Sequence, residues 1–208
     1  MKELSPHARI YLVLVIIAGY LALGQLFVQA ATPPHTKLLV LLLLASTCGP
    51  LRLRTPRFSS GSAAPPLAEE SAVSVGLVFV FSSLIELPAR YAAIVSMAAV
   101  MSQLQLGRRS RLKIRDYLLH LSAANLSLLM AYDAFHTLCQ STALPPLEAL
   151  LVAALIHFLV STWCRTAAES LESDRPVAAT WWRDYMPSAP VYALMAVGGF
   201  LLGPRLRS

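Results

Sequence analysis

Arg108-Arg109-Ser110-Arg111-Leu112-Lys113-Ile114-Arg115 places five cationic side chains within eight residues. Apolar stretches of helical length lie on both sides of it. Short loops rich in Lys and Arg stay on the cytoplasmic side of a membrane. The run therefore reads as a topology determinant, and the orientation of the other segments follows by alternation.

The whole chain is compatible with that reading. It has 208 residues, 56% of them hydrophobic and only 13% charged, where a soluble domain carries about 25%. Mean hydropathy is +0.60. A helix needs roughly 20 apolar residues to cross the ~30 Å hydrocarbon core. Six or seven such segments with short loops use up the length, so the expected fold is all-α: one polytopic integral membrane bundle, residues 1–208, with 6–7 transmembrane helices.

Seven apolar segments can be drawn. They are Ile10–Ala31, a short one at Leu38–Cys48, Ala72–Leu87, Ala89–Leu106, Asp116–Leu138, Leu147–Ala168 and Pro187–Gly203. The first, about 22 residues, exceeds the 7–15-residue core of a signal peptide and is read as a retained anchor. Residues 51–71 read as a cytoplasmic loop, opened by the alternating Leu51-Arg52-Leu53-Arg54 as a short extended piece. Residues 169–186 read as an amphipathic interfacial segment, with Trp181, Trp182 and Tyr185 suited to the headgroup level.

With the N-terminus cytoplasmic, thirteen of the 17 Lys and Arg fall inside and four outside, the four being Lys37, Arg90, Arg205 and Arg207. This inside excess supports the orientation. The net charge of +6 is then topological, with attraction to anionic headgroups as a second role, and no nucleic-acid partner is expected. The partners expected are the lipid bilayer and either a cytoplasmic signalling protein or further copies of the chain.

Ionisable and strongly polar groups at membrane depth are costly and mark candidate functional positions. Asn125 lies nine residues past Asp116, about 14 Å along the helix, and His157 ten past Leu147, about 15 Å. Both fall near the midplane on adjacent antiparallel helices, within reach of a mutual hydrogen bond. Interhelical adhesion and ligand or proton sensing are both open readings. Asp133 and His136, spaced i,i+3, share a helix face near the outer end. They read as an interfacial pair or as a sensor of external pH. Glu86 and Arg90 bracket Pro88 and are placed to pair, and Arg165 and Glu169 form an i,i+4 pair.

Catalytic patterns are missing from the sequence. It has no G-x-S-x-G, H-E-x-x-H or Walker sequence, so no enzymatic activity and no catalytic residue is expected. Cys48, Cys139 and Cys164 are isolated, without metal-ligand spacing. No metal and no cofactor is expected.

Several stretches resemble a known family. Leu41–Pro50, Val75–Phe81, Leu87-Pro88-Ala89 and Phe158–Thr162 look like parts of MASE-type membrane sensor regions. So, above all, does the run Arg175-Pro176, Trp182-Arg183-Asp184-Tyr185, Pro187–Tyr192. Such regions precede the output domains of bacterial GGDEF and HD-type signalling proteins. Leu119-His120 departs from the Phe-Asn expected there, and Ser161 replaces an Asn. The resemblance implies a sensor or interaction module in the bacterial inner (plasma) membrane, without its output domain and without catalysis of its own, passing a signal to a cytoplasmic partner. The alternative is a small-molecule transport component, the substrate-binding subunit of an importer, with Glu86, Asp133 and His136 lining an outward pocket.

Overall fold

The computed structural model describes residues 6–28, 35–54, 72–106, 114–141, 144–173 and 175–203. The basic residues 108, 109, 111 and 113 lie outside these, as do Arg57, Arg205, Arg207 and most of the 51–71 segment. The elements are α1 (Pro6–Val28), α2 (His35–Cys48), β1 (Arg52–Arg54), β2 (Ala72–Ser74), α3 (Leu77–Glu86), α4 (Ala89–Leu106), α5 (Ile114–Ser141), α6 (Pro146–Ser173), α7 (Val177–Asp184) and α8 (Ala189–Leu202). A single 3-10 turn, Met186–Ser188, joins the last two.

Prolines set several of the boundaries. Leu87, before Pro88, is extended at φ −120° and ψ 147°, because a following proline disfavours the helical region. Pro88 then opens α4, its carbonyl accepting from the N–H groups of Tyr91 and Ala92. Pro176 stands at the N-cap of α7, where a missing N–H costs nothing.

Four segments are long and apolar enough to cross a membrane: Pro6–Val28, Ile114–Ser141, Pro146–Leu171 and Val177–Leu202. Ile10, Leu14, Leu21 and Val28 of α1 all lie exposed. An apolar face of that length suits lipid rather than water. The fold is thus helical and compatible with a membrane protein.

Two expectations need correction. Ala72–Ser74 is not the start of a helix but a strand, pairing antiparallel with Arg52–Arg54 in the register Arg52↔Ser74, Leu53↔Val73, Arg54↔Ala72. The extended reading of Leu51–Arg54 was right, and Ala72-Val73-Ser74 supplies its partner. The helix that follows is therefore only ten residues long, about 15 Å, and α2 with fourteen is about 21 Å. Both fall short of the ~30 Å core, so neither is among the four segments long and apolar enough to span it. Further along, residues 169–173 continue α6 rather than joining the interfacial segment, which begins as a helix at Val177.

The contacts define two ends of the bundle. At one, Gly49 after α2 lies against Ala99 and Ser102 of late α4, and Ser74 Oγ donates to the Gly49 carbonyl at 2.7 Å. At the other, Lys37 at the start of α2 meets Glu86 at the end of α3, and Gly203 after α8 packs on the same Glu86. Successive helices α2, α3 and α4 therefore reverse direction. α5 runs back to the Lys37–Glu86 end, where His136 reaches Leu84 and Tyr132 reaches Ala89. Both neighbours of the basic run, late α4 and the start of α5, lie at the Gly49 end.

Small residues let the helices approach closely. Gly199 of α8 and Gly203 just after it, four residues apart, face α3. A Cβ on Gly199 would come within 2.8 Å of the Val78 carbonyl oxygen and 2.9 Å of the Ser82 nitrogen. A Cβ on Gly19 of α1 would overlap the Ser122 backbone of α5. Small-residue contacts of this kind drive helix association where lipid removes the hydrophobic driving force. The main core gathers Leu41, Phe81, Leu84, Val95, Leu128 and Leu150 from five helices.

Candidate functional site

His157 is 4% exposed and Asn125 1%, so both sit in the interior of the bundle on adjacent helices. They are not hydrogen-bonded to each other. The His157 ring donates an N–H to the Ser127 backbone carbonyl. Asn125 Oδ1 and His157 Nδ1 both lack a hydrogen-bond partner among the described residues. The α5 backbone at Ser127, rather than the Asn125 side chain, is the polar partner of the imidazole.

The imidazole touches several layers. Phe81 of α3 meets it edge-on with ring centroids 5.7 Å apart, and Tyr192 of α8 lies at 6.2 Å. His157 also lines a cavity of about 30 Å³ together with Ser74, Ser96, Gln103, Ala99 and Ala124. One side chain on α6 is thus linked to α3, α4, α5 and α8, with the β1–β2 pair closing the cavity at Ser74.

Asp133 and His136 lie apart from this centre, toward the Glu86 end. Asp133 is exposed and forms no salt bridge among the described residues. His136 is half-buried beside the Tyr132 ring at 4.2 Å and donates to the Leu84 carbonyl. The Ala89 backbone N–H donates to the Tyr132 hydroxyl, capping the start of α4. His136 and Tyr132 together fasten α5 across the Pro88 break.

Glu86 does not pair with Arg90. It meets Lys37 at 2.9 Å, its side chain 3% exposed and that of Lys37 32%. The extended Leu87 and Pro88 swing Arg90 away. The Arg90 guanidinium instead reaches the Tyr91 hydroxyl at 2.6 Å and sits 4.6 Å from the Tyr91 ring centre. No spacing rule reveals Lys37–Glu86, since the partners are 49 residues apart.

A third cluster lies where α6 meets α7. Trp181 Nε1 donates to Thr162 Oγ1 at 2.9 Å, and Trp181 packs against Phe158, Trp163 and Trp182. The Tyr185 hydroxyl donates to Glu169 at 3.1 Å, and Arg165 lies 5.6 Å from the Tyr185 ring centre. The aromatic segment therefore docks on late α6 through one buried hydrogen bond. Among the described residues no group of three His, Cys, Asp or Glu side chains is close enough to hold a metal ion.

Two substitutions probe these centres. Asn125→Leu removes an unsatisfied buried carbonyl oxygen at similar volume. It is expected to leave stability within about 1 kcal/mol or to raise it, as read by thermal unfolding in detergent. A loss above that range would mean that Asn125 has a polar partner. Thr162→Val leaves the Trp181 indole N–H unpaired, at an expected cost of about 1–3 kcal/mol, with altered indole emission. An unchanged spectrum and melt would contradict the docking.

The chain matches no family model, no curated protein and no solved structure.

Proposed function

We propose that the chain is a membrane-embedded sensor or interaction module, without chemistry of its own, that passes a change in helix packing to a cytoplasmic partner. One observation carries the reading: the buried His157 joins four helices through a ring hydrogen bond, two aromatic contacts and a shared cavity. A change at that point alters the packing of every layer at once, and packed cores switch between discrete arrangements rather than deforming smoothly. The aromatic α7 segment, docked on the same α6, offers the surface on which the change emerges.

The finer topology belongs to this proposal: 6–7 crossings with α2 and α3 as short ones, a cytoplasmic N-terminus, and the bacterial inner membrane. It is supported by the reversal of direction along α2, α3 and α4 and by the inside excess of Lys and Arg. The likeness to MASE-type sensor regions in the Arg175–Tyr192 run supports the signalling role. The importer-subunit reading finds less support. Two of its three pocket residues are engaged within the bundle, Glu86 by Lys37 and His136 by the Leu84 carbonyl.

The test uses the full chain with Cys48, Cys139 and Cys164 replaced and spin labels at Gln105 and Trp182, both exposed. Label distances are measured in vesicles of short-chain and long-chain phosphatidylcholine, at neutral and at acidic pH. A module of this kind gives two distance populations whose ratio changes with at least one of these variables. A single unchanged population under all four conditions would overturn the proposal.

A further inference from the structure

One side of α1 is used within the bundle and the other is not. Val15, Gly19, Ala22 and Leu26 are buried, and a Cβ on Gly19 would overlap Ser122 of α5. Opposite them, Ile10, Leu14, Ile17, Leu21 and Val28 are between 51% and 83% exposed, and Gly24 is exposed as well. Along the chain these residues stand four and three apart in turn. That is the spacing of the seam between two paired helices, and it runs for about 27 Å.

Lipid covers an apolar face, but three residues here are poorly suited to it. Tyr20 is 47% exposed about 12 Å before the end of α1, deeper than the interface where tyrosines gather. Gln25 is exposed and followed by the apolar Leu26-Phe27-Val28, so its amide faces hydrocarbon. Neither side chain has a hydrogen-bond partner among the described residues, and hydrocarbon supplies none. Gly24 is the third. Each of the other described glycines has an atom within 4 Å of a Cβ position, whereas Gly24 has nothing there. A glycine weakens a helix, and this one serves no contact inside the chain.

The three residues share one register. Gly24 lies on the seam, and Tyr20 and Gln25 flank it on opposite sides. In a parallel helix pair a flanking residue meets the opposite flank of its neighbour five positions on, which is the interval from Tyr20 to Gln25. A second copy of this chain meets that geometry. Copies of one membrane chain insert in one orientation, so their α1 helices run parallel with equal residues at equal depth. Two-fold symmetry then makes the contact twice.

We infer that α1 pairs in parallel with α1 of a second copy along the Ile10–Val28 seam, with Tyr20 of each copy hydrogen-bonded to Gln25 of the other. The tyrosine hydroxyl donates and the amide oxygen accepts. Gly24, between them, lets the two backbones approach closely. The pairing requires α1 to cross the membrane and is independent of the signalling role.

The test uses the full chain with Cys48, Cys139 and Cys164 replaced and Gln105→Cys carrying donor or acceptor dyes. Energy transfer is followed in phosphatidylcholine vesicles as lipid dilutes the protein. The native α1 is expected to hold transfer at dilutions where Gly24→Leu has lost it. Tyr20→Phe and Gln25→Leu are each expected to weaken association by about tenfold, since two symmetry-related bonds go, and the two together by no more than either alone. Leu43→Phe, on the exposed face of α2, is expected to change nothing. Transfer that falls equally for the native chain and Gly24→Leu would overturn the pairing, as would additive effects of Tyr20→Phe and Gln25→Leu. Reaction of a membrane-impermeant maleimide with Ile17→Cys separates the two failures. A reactive thiol overturns the crossing by α1 and the pairing with it, whereas a shielded thiol without transfer overturns the pairing alone.

Discussion

Lys37→Met is expected to destabilise the protein by about 3 kcal/mol, and adding Glu86→Leu is expected to recover most of the loss. The cost arises from the unequal burial of the pair, with Glu86 almost wholly enclosed and Lys37 a third open. Lys37→Met takes the ammonium away from the enclosed Glu86 carboxylate, and breaking a buried pair by deleting one partner costs about 3–5 kcal/mol. The low end applies because the Lys37 ammonium is partly solvated. Replacing both by apolar groups of similar volume is often neutral or stabilising, so the double variant separates charge from packing. Thermal and chemical unfolding of the two single variants and the double variant in one detergent supply the cycle. A Lys37→Met protein as stable as the native one would mean that Glu86 does not depend on this contact.

Gly199→Leu is expected to have the larger effect and to prevent recovery of folded protein. The atoms a side chain would strike belong to the α3 backbone, the Val78 carbonyl and the Ser82 N–H, and backbone has no rotamer in which to retreat. Overpacking of a core commonly costs about 1–3 kcal/mol. Here it must also part α8 from α3, the helix that carries Phe81 to His157. Gly24→Leu is the control, because nothing lies within 4 Å of a Cβ at that position. Equal yields and melting temperatures for the two variants would show that the α3–α8 approach is not tight.

Legibility differed by the range of the interaction involved. The long helices were readable because twenty apolar residues between prolines or basic runs leave few alternatives. The α5 and α6 positions of Asn125 and His157 followed from counting along a helix. The partner of His157 did not, because a side chain facing another helix can bond to its backbone, and the backbone carries no sequence signature. The strand at Ala72–Ser74 looked like the start of a membrane helix for a similar reason. Ala72 and Val73 are as apolar as any helix residue, and only pairing with Arg54 and Leu53, some twenty positions away, makes them extended. Lys37–Glu86 escaped notice because it joins the ends of two helices across a 49-residue separation. The aromatic run after Arg175 was legible as a segment apart from the long helix before it, yet its anchor, Thr162, reads in isolation as an ordinary helix threonine.

In the proposed topology the helices alternate between a basic inner end and an outer end built on Lys37 and Glu86. Gly203 packs on Glu86, at the end opposite the one flanking the basic run. The most direct test fuses alkaline phosphatase or green fluorescent protein after Ser208 in the same host. The account expects active phosphatase and no fluorescence. Bright fluorescence with inactive phosphatase would place Glu86 and Gly203 inside and contradict the arrangement.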